Sequence, residues 1–239
     1  MCGRFTQERA MSELAEIFGA DVLVDDAGAR YNVAPTDPAT VVVERDGQRA
    51  LTGYRWGLLP VWADDTKRAG GMFNARSETL THRRAFRDAF RRRRCLVPVD
   101  SFYEWRSENG GRQPYRIARV DGRPLALAGL WAGRRDPETG ELVRSFTIVT
   151  TGPNAFMTDL HNRMPVMVPE GSWSVWLDAS TDPGSLLGLF EPADDPALSA
   201  TAVSRLVNDV RNQGPELIRP LSGARGAGDS PTPAPGPSR

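Results

Sequence analysis

The chain has few of the residues on which metal sites and disulfide-rich folds depend. Its 239 residues include only two cysteines and two histidines. Cys2 and Cys95 are far apart, so a disulfide framework is not expected. His82 and His161 are 79 positions apart, with no cysteine at the spacing of a structural zinc site. A glycine-rich phosphate loop is also missing from the sequence. We therefore expect neither a metal nor a cofactor.

The chain also lacks long hydrophobic runs and a net charge. No run of about 20 apolar residues could span a bilayer, and the N-terminus lacks the apolar core of a signal peptide. We expect a cytoplasmic protein without a membrane partner. Thirty Lys and Arg balance thirty Asp and Glu, which argues against nucleic-acid binding by bulk positive charge. However, residues 82–94 contain seven arginines, so a local basic groove remains compatible with the composition.

What the sequence does contain is typical of an α+β fold. Its 40% hydrophobic residues and 23 glycines are in the globular range. We expect a single domain over residues 1–221, followed by a disordered Gly/Pro/Ser-rich tail at residues 222–239. The predicted strands and helices do not alternate as they do in βαβ units. The pattern predicts a curved, barrel-like, mainly antiparallel β-sheet core with flanking helices.

Turn signals and apolar spacing place the elements of this fold. Three dipeptides between β-rich runs predict hairpins: Asp46-Gly47, Asp121-Gly122 and Thr139-Gly140. Helical spacing predicts four helices, the first capped by Thr6 and ended by Gly19. They cover residues 6–18, 78–92, 153–160 and 172–177.

The position of Cys2 is the sharpest functional signal. Aminopeptidases remove Met1 when the next side chain is small, which would leave an N-terminal cysteine. Its amine can condense with an aldehyde to a Schiff base, and its thiol can then close a five-membered thiazolidine ring. About a tenth of an amine with a pKa near 8 is neutral at pH 7. The alternative interpretation is that Cys2 is merely a small buried residue.

Three further segments carry polar groups that could take part in chemistry. Asn74, Arg76 and Glu78 lie just before a predicted helix, where backbone N–H groups favour anions. Glu104 stands among aromatic residues, a setting that raises the pKa of a carboxyl and suits it to general acid–base work. His161 precedes a proline-fixed turn and is a candidate for proton transfer. The plainer alternatives are a helix cap, a strand-edge carboxylate and a structural histidine.

Short motifs run through the whole chain in a fixed order. They are Met1-Cys2-Gly3-Arg4-Phe5, Arg30-Tyr31-Asn32-Val33-Ala34-Pro35, Trp56-Gly57-Leu58-Leu59-Pro60, Asn74-Ala75-Arg76-Ser77-Glu78-Thr79, Cys95-Leu96-Val97-Pro98, Phe102-Tyr103-Glu104-Trp105, Ala128-Gly129-Leu130-Trp131 and His161-Asn162-Arg163-Met164-Pro165. From residue 2 to about 220 this set resembles the SOS-response-associated peptidase (SRAP) family, the abasic-site processing proteins. One departure is Ser101, where the family usually has glycine, and it affects only the local turn.

The resemblance implies an enzyme that captures abasic sites in single-stranded DNA by a covalent link to Cys2 and so protects damaged DNA. It also implies AP-lyase-like activity. Cys2 would be the nucleophile, and three residues would line its pocket. Glu104 would move protons during Schiff-base formation and ring closure. His161 would assist opening of the sugar ring and reversal of the link, and Asn74 would hold Cys2 or the sugar. The family's peptidase activity implies removal of Met1 through the same pocket.

The resemblance also implies a DNA-binding surface. Arg76 and Arg163 resemble the family's phosphate-binding arginines, and Arg4 is a third candidate. Because an abasic sugar has no base, flanking bases need aromatic surfaces to stack on. Trp62 and Trp56 are candidates, although Trp56 fits a core position equally well. The expected partner is single-stranded DNA containing abasic sites, bound by a monomer.

Two rival interpretations use the same N-terminus. Class II glutamine amidotransferases also begin Met-Cys-Gly and use the terminal amine as the base for the cysteine thiol. This chain lacks the Asn-Gly-Glu segment expected near their oxyanion site. The second rival is a non-covalent single-strand DNA-binding module in which Cys2 is only structural.

Overall fold

The computed structural model describes residues 2–62, 72–108, 110–136, 138–192 and 197–221. The strands in these ranges are β1 (Phe5–Gln7), β2 (Ala20–Val22), β3 (Arg30–Val33), β4 (Pro38–Arg45), β5 (Gln48–Trp56), β6 (Asn74–Arg76), β7 (Arg94–Val99), β8 (Ser101–Glu108), β9 (Gly111–Arg119), β10 (Leu125–Arg135), β11 (Leu142–Thr151), β12 (Met164–Pro165) and β13 (Leu198–Ala202). The α-helices are α1 (Met11–Phe18), α2 (Arg84–Arg92), α3 (Ala155–Thr158) and α4 (Trp173–Leu177). Short 3₁₀ turns lie at Ser77–Thr79, Glu170–Ser172, Pro183–Phe190, Arg205–Asn208 and Pro215–Ile218. The predicted tail at residues 222–239 lies outside the described residues.

Five strands close into a barrel. β4 pairs antiparallel with β5 and β7, and β10 pairs antiparallel with β7 and β11. Parallel pairing of β11 with β5, in which Phe146 lies opposite Trp56, closes the ring. A second, five-stranded sheet has the order β13-β9-β8-β1-β3. The expected α+β class with a barrel-like, mainly antiparallel core is confirmed.

Two of the three predicted hairpins are confirmed. Asp46 and Gly47 have φ angles of 53° and 76° between β4 and β5, the backbone that a tight hairpin turn requires. β10 and β11 pair around Gly140. The hairpin predicted at Asp121-Gly122 is wrong, because β9 pairs with β8 and β13 while β10 belongs to the barrel. There Gly122 makes a turn with φ of 71°, and the chain passes from one sheet to the other.

The first predicted helix starts later than expected. Thr6 does not cap it but lies in β1, because Phe5 is fully buried with its ring 4.8 Å from that of Trp56. α1 begins at Met11 and ends, as predicted, at Gly19 in the left-handed conformation.

The predicted helix over residues 78–92 is divided in two. A 3₁₀ turn, Ser77–Thr79, comes first and leads to Leu80, which is fully buried. The α-helix begins only at Arg84. The third and fourth predicted helices are present in shortened form as α3 and α4.

One apolar cluster joins the barrel to the second sheet. It includes barrel residues such as Val97 and Phe146, together with Phe102 of β8 and the N-terminal Cys2. A second cluster packs α1, α2 and α4 onto the outside of the barrel. The start of the chain is therefore held between the two sheets. None of the helices in the described ranges is long and apolar enough to cross a lipid bilayer.

Candidate active site

Strand β11 brings two distant polar motifs side by side. β6 runs parallel to it, with Asn74 opposite Ile148 and Arg76 opposite Thr150. On the other side β12 follows the His161 segment and places Met164 opposite Thr151. Motifs about 85 positions apart in sequence therefore share one edge of the barrel.

Cys2 lies fully buried at this edge. The Asn74 side chain donates a hydrogen bond from Nδ2 to the backbone carbonyl of Cys2 over 2.8 Å. Cys2 belongs to the same apolar cluster as Met157 and Leu160, which precede His161. Burial, and next the negative charge of Glu104, raise the pKa of the Cys2 thiol. The thiol is therefore protonated at neutral pH and needs a proton acceptor to act as a nucleophile.

Glu104 reaches the same place from the second sheet. β1 and β8 are antiparallel, with Phe5 opposite Phe102, and the Tyr103 amide donates to the Arg4 carbonyl over 3.0 Å. The segment before β1 consequently runs alongside Glu104. The side chain of Glu104 is only 2% exposed. Burial raises the pKa of its carboxyl, as its aromatic sequence context had predicted.

His161 is held by two backbone hydrogen bonds. Its own amide donates to the Met157 carbonyl over 2.8 Å, and the Arg163 amide donates to His161 Nδ1 over 3.0 Å. Since Nδ1 accepts a hydrogen bond, the neutral ring carries its proton on Nε2. Burial lowers the pKa of the imidazole, which favours this neutral form.

The chemistry available at this site is proton transfer around a buried nucleophile. A carboxyl whose pKa is raised stays protonated to higher pH than an ordinary carboxyl and so can act as an acid, and a neutral imidazole can donate a hydrogen bond from Nε2. Within the described ranges, no cluster of three His, Cys, Asp or Glu could hold a metal ion.

The two arginines predicted as phosphate clamps differ in their surroundings. Arg76 is exposed on β6 beside Thr150. Arg163 is largely buried and forms two hydrogen bonds with the Glu78 carboxylate, one of them from Nη2 at 3.0 Å. Its Nη2 also donates to the Thr150 carbonyl over 2.6 Å. Arg76 is available to a phosphate as it stands, whereas Arg163 would have to exchange an existing partner.

Arg4, the third predicted clamp, connects the two ends of the described chain. Its Nη1 donates to Asn32 Oδ1 over 2.9 Å and to the Val207 carbonyl over 2.7 Å. Its guanidinium also lies 5.9 Å from the ring centre of Trp105. Burial lowers the pKa of Arg4. These contacts give Arg4 a structural role, and its role in phosphate binding stays a prediction.

The two tryptophan candidates for base stacking differ in their exposure to solvent. Trp56 is fully buried and donates from Nε1 to the Phe73 carbonyl over 2.8 Å, so the core interpretation is correct and the base-stacking one is wrong. Trp62 is 48% exposed. The Arg84 guanidinium lies 4.9 Å from its ring centre, so Trp62 adjoins the basic helix α2.

Three further residues near the site were not among the catalytic and DNA-binding residues that the family resemblance implies. Glu78 is the partner of Arg163. Trp105 donates from Nε1 to Asn208 Oδ1 over 2.7 Å. Arg112 lies on β9. Burial has the largest effect on two neighbouring pKa values, raising that of the Glu104 carboxyl and lowering that of the His161 imidazole. The positive charge of Arg112 lowers both pKa values. Glu78 and Trp105 lie inside two of the sequence motifs, whereas no pattern in the sequence singles out Arg112.

Comparisons with known proteins show which family this chain is similar to. The family model described as "SOS response associated peptidase (SRAP)" matches residues 1–210. "Abasic site processing protein YoqW" of Bacillus subtilis (strain 168) is 39% identical over 222 residues, which cover 91% of this chain and 99% of that protein. "Abasic site processing protein YedK" of Escherichia coli (strain K12) is 32% identical over 228 residues, covering 92% and 100%.

A solved structure shares the fold. A protein from Bacteroides thetaiotaomicron superposes with a TM-score of 0.81 at 22% identity, covering 92% of this chain and all of that one. The sequence matches cover the described strands of the barrel, the second sheet and the motifs at their junction. This chain belongs to the SOS response associated peptidase (SRAP) family.

Proposed function

We propose that this protein processes abasic sites in single-stranded DNA by forming a covalent thiazolidine link through Cys2. The observation that carries the proposal is the surroundings of Cys2 at the junction of the two sheets. Asn74 is hydrogen-bonded to its carbonyl, the charge of Glu104 acts on its thiol, and His161 follows Met157 and Leu160 of the apolar cluster that contains it. Relatives over the full chain length are named abasic site processing proteins. An abasic site is in equilibrium with an open-chain aldehyde, which an N-terminal aminothiol can capture.

The reaction needs no oxidant or reductant. With Met1 removed, the Cys2 amine adds to the C1′ aldehyde and gives a carbinolamine. Loss of one water leaves an imine, to whose carbon the Cys2 sulfur then adds. The thiol proton replaces the one that left with the water, and the five-membered ring is complete. One water is released in total, and one C–N bond and one C–S bond are formed.

Glu104 is suited to both proton transfers of this sequence. In its acid form it protonates the departing carbinolamine hydroxyl, and the resulting carboxylate then accepts the proton of the Cys2 thiol. Both requirements follow from burial, which keeps the thiol and the carboxyl protonated to higher pH than usual. Acceptance of the thiol proton returns the carboxyl to its acid form, and the nitrogen keeps the proton that it carried in the protonated imine.

His161 acts on the sugar rather than on the cysteine. Ring opening of the deoxyribose needs a proton on the ring oxygen and loss of one from the C1′ hydroxyl. The Nε2–H of the neutral imidazole can donate a hydrogen bond to the ring oxygen and so stabilise the charge that develops there. The same N–H can donate a hydrogen bond to the thiazolidine when the link is reversed. Asn74 keeps the start of the chain in register with these groups through its bond to Cys2.

The link requires an unblocked Cys2, so removal of Met1 is part of the proposal. Hydrolysis of the Met1–Cys2 bond needs an acid–base group near the amide, and Glu104 is close to Cys2. Removal by the protein itself is therefore consistent with the site. Intact-mass measurement of protein carrying Glu104→Gln compared with wild type tests this step: retained Met1 only in the variant supports self-processing.

A gel assay tests the function as a whole. Purified protein is mixed with a uracil-containing single-stranded oligonucleotide that has been treated with uracil glycosylase. We expect an adduct that survives heating in detergent, and none with the untreated oligonucleotide. Absence of the adduct contradicts the covalent function. Ammonia release from glutamine that is lost in Cys2→Ala would instead favour the amidotransferase alternative.

A further inference from the structure

Glu78 is an acidic residue at a site whose proposed ligand is anionic. Its carboxylate forms two hydrogen bonds with the Arg163 guanidinium and accepts one from Ser77 Oγ at 3.3 Å. The Arg163 hydrogen bond is the main reason that its pKa falls from 4.5 to about 2. The carboxylate is therefore charged, and paired with Arg163, at every pH at which the protein would work.

The Arg163 side chain is anchored on both sides. Besides Glu78 it holds the backbone carbonyl of Thr150 over 2.6 Å, in the strand that carries the site. Glu78 itself lies in the 3₁₀ turn that follows β6, and β6 pairs with β11 at Arg76 and Thr150. The guanidinium is thus fixed to two rigid elements, and the backbone of Arg163 is fixed with it.

That backbone touches the imidazole directly. The Arg163 amide donates to His161 Nδ1 over 3.0 Å. A donor at Nδ1 decides which ring nitrogen carries the proton, since a neutral imidazole has only one N–H. If Arg163 moved, this bond would weaken and the ring could adopt the other tautomer or turn in its pocket.

We propose that Glu78 is a positioning residue for His161: through Arg163 it fixes the imidazole in the form that carries its proton on Nε2. Arg163 is the brace that connects Glu78 to the imidazole. The catalytic consequence rests on the proposed function, whereas the tautomer itself belongs to the DNA-free protein and can be measured without any reaction.

The low histidine count makes the measurement simple. With only His82 and His161 in the chain, ¹⁵N correlation spectra of the imidazole rings contain two sets of signals, and His82→Gln identifies which set is which. In the wild-type protein near neutral pH, His161 should show one protonated nitrogen, Nε2, and one unprotonated nitrogen, Nδ1. In Glu78→Ala we expect the two ¹⁵N shifts to move toward each other as the tautomers mix.

Two further variants distinguish a loss of His161 positioning from a general loss of stability. Glu170→Gln removes the partner of Arg123 in an ion pair of 2.8 Å that is more than half exposed, and it should leave the His161 shifts unchanged. Glu78→Gln keeps a hydrogen-bond acceptor for Arg163 and should fall between wild type and Glu78→Ala. Thermal melts of each variant confirm that the spectra come from folded protein.

Kinetics provide the second readout. Misplacement of a catalytic group by about 1 Å can cost up to about 10²-fold in rate, and we expect Glu78→Ala to slow adduct formation by 10- to 100-fold. Because Glu78 acts through Arg163, the double variant Glu78→Ala/Arg163→Ala should be no slower than Arg163→Ala alone.

Unchanged His161 shifts in folded Glu78→Ala overturn the proposal, and so do fully additive rate losses in the double variant. Failure of the proposed function gives a different result. In that case wild-type protein forms no adduct with abasic DNA, while the ¹⁵N spectra still report whether Glu78 controls the tautomer.

Discussion

The side-chain amide of Asn74 donates a hydrogen bond to Cys2 through its nitrogen, while its oxygen accepts none from the described residues. Its Nδ2 donates to the Cys2 carbonyl over 2.8 Å, although the two residues are 72 positions apart. Its Oδ1 is buried and has no hydrogen-bond partner among the described residues. A buried acceptor without a partner is costly unless a ligand satisfies it. In the proposed function the hydroxyls and amine of the captured sugar adduct provide such donors.

Asn74→Ala should therefore impair adduct formation more than it impairs folding. Loss of one hydrogen bond lowers the free energy of unfolding by about 0.5–1.5 kcal/mol, while the amine of Cys2 loses its fixed approach. Adduct formation timed with abasic single-stranded DNA, together with urea unfolding, measures both effects. Asn162→Ala, an exposed neighbour of His161, is the control and should change neither. An adduct rate equal to wild type in Asn74→Ala would remove Asn74 from the site.

Burial of Glu104 should make the protein less stable as the pH rises. The pKa of this carboxyl is higher in the folded chain than in the unfolded one, so its favourable contribution is present below the unfolded value and is lost as pH rises through the folded value. Glu104→Gln, which cannot ionise, should melt at a higher temperature than wild type at pH 8 and at nearly the same temperature at pH 4.

The same substitution should slow adduct formation by about 10²–10⁴-fold, the usual range for loss of a general acid–base group. Glu108→Gln on the same strand, whose carboxylate is paired with Arg106 in a more exposed position, is the control for the rate measurement. A Glu104→Gln variant that is less stable at pH 8 yet fully active would contradict both parts of this prediction.

Arg4 should matter for stability whatever its role with DNA. Its guanidinium joins the N-terminal segment to the Val207 and Asn208 carbonyls. Hydrogen bonds to charged groups contribute about 1.5–3 kcal/mol each, less where solvent reaches them, so Arg4→Gln should lower the free energy of unfolding by roughly 2 kcal/mol. Denaturant unfolding measures this. Arg211→Gln, which breaks the exposed pair with Asp209, should have an effect below about 1 kcal/mol.

Arg76 should account for part of the salt dependence of DNA binding. Each phosphate neutralised on a single strand contributes about −0.7 to the slope of log K against log salt. With Cys2→Ala as the background, so that no covalent link forms, Arg76→Gln should make the slope less negative by about that amount. Arg123→Gln, an exposed arginine paired with Glu170, should leave the slope unchanged. A slope that is the same with and without Arg76 would exclude it as a clamp.

Local signals allowed much of the fold to be predicted. Asp46-Gly47 specifies a tight turn by backbone conformation alone, so the β4–β5 hairpin follows from the sequence. The same kind of signal at Asp121-Gly122 also marks a turn, but strand pairing depends on partners far along the chain. Thr6 looked like a helix cap because its short side chain suits that position, whereas the burial of Phe5 against Trp56 decided in favour of a strand.

In the candidate site, too, local signals could be predicted from the sequence and long-range contacts could not. Cys2, Asn74, Glu104 and His161 could be nominated because each stands in a recognisable local motif. The partners of the arginines could not be predicted, since Arg163 meets Glu78 across 85 positions, and Arg4 meets Val207 across 203. Those contacts arise from the closure of the barrel and the second sheet, which no single motif encodes.

Cys2 and Cys95 provide a matched pair for the central chemistry. Both are buried and free, and burial raises the pKa of both thiols. Only Cys2 can become an aminothiol. Cys95→Ala should therefore retain adduct formation on abasic single-stranded DNA, whereas Cys2→Ala should abolish it, and Cys2→Ser should fail to give a stable ring because the oxygen ring closes less readily.

Intact-mass spectrometry of the wild-type adduct, before and after borohydride treatment, tests the thiazolidine link most directly. The mechanism predicts a mass equal to the chain without Met1 plus the oligonucleotide minus one water, unchanged by borohydride and located at Cys2 by peptide mapping. Lys67 is the one lysine in the sequence and so the one side-chain amine that could form an imine in place of Cys2. A mass that gains two hydrogens on reduction, an adduct located at Lys67, or an adduct that persists in Cys2→Ala would contradict the mechanism.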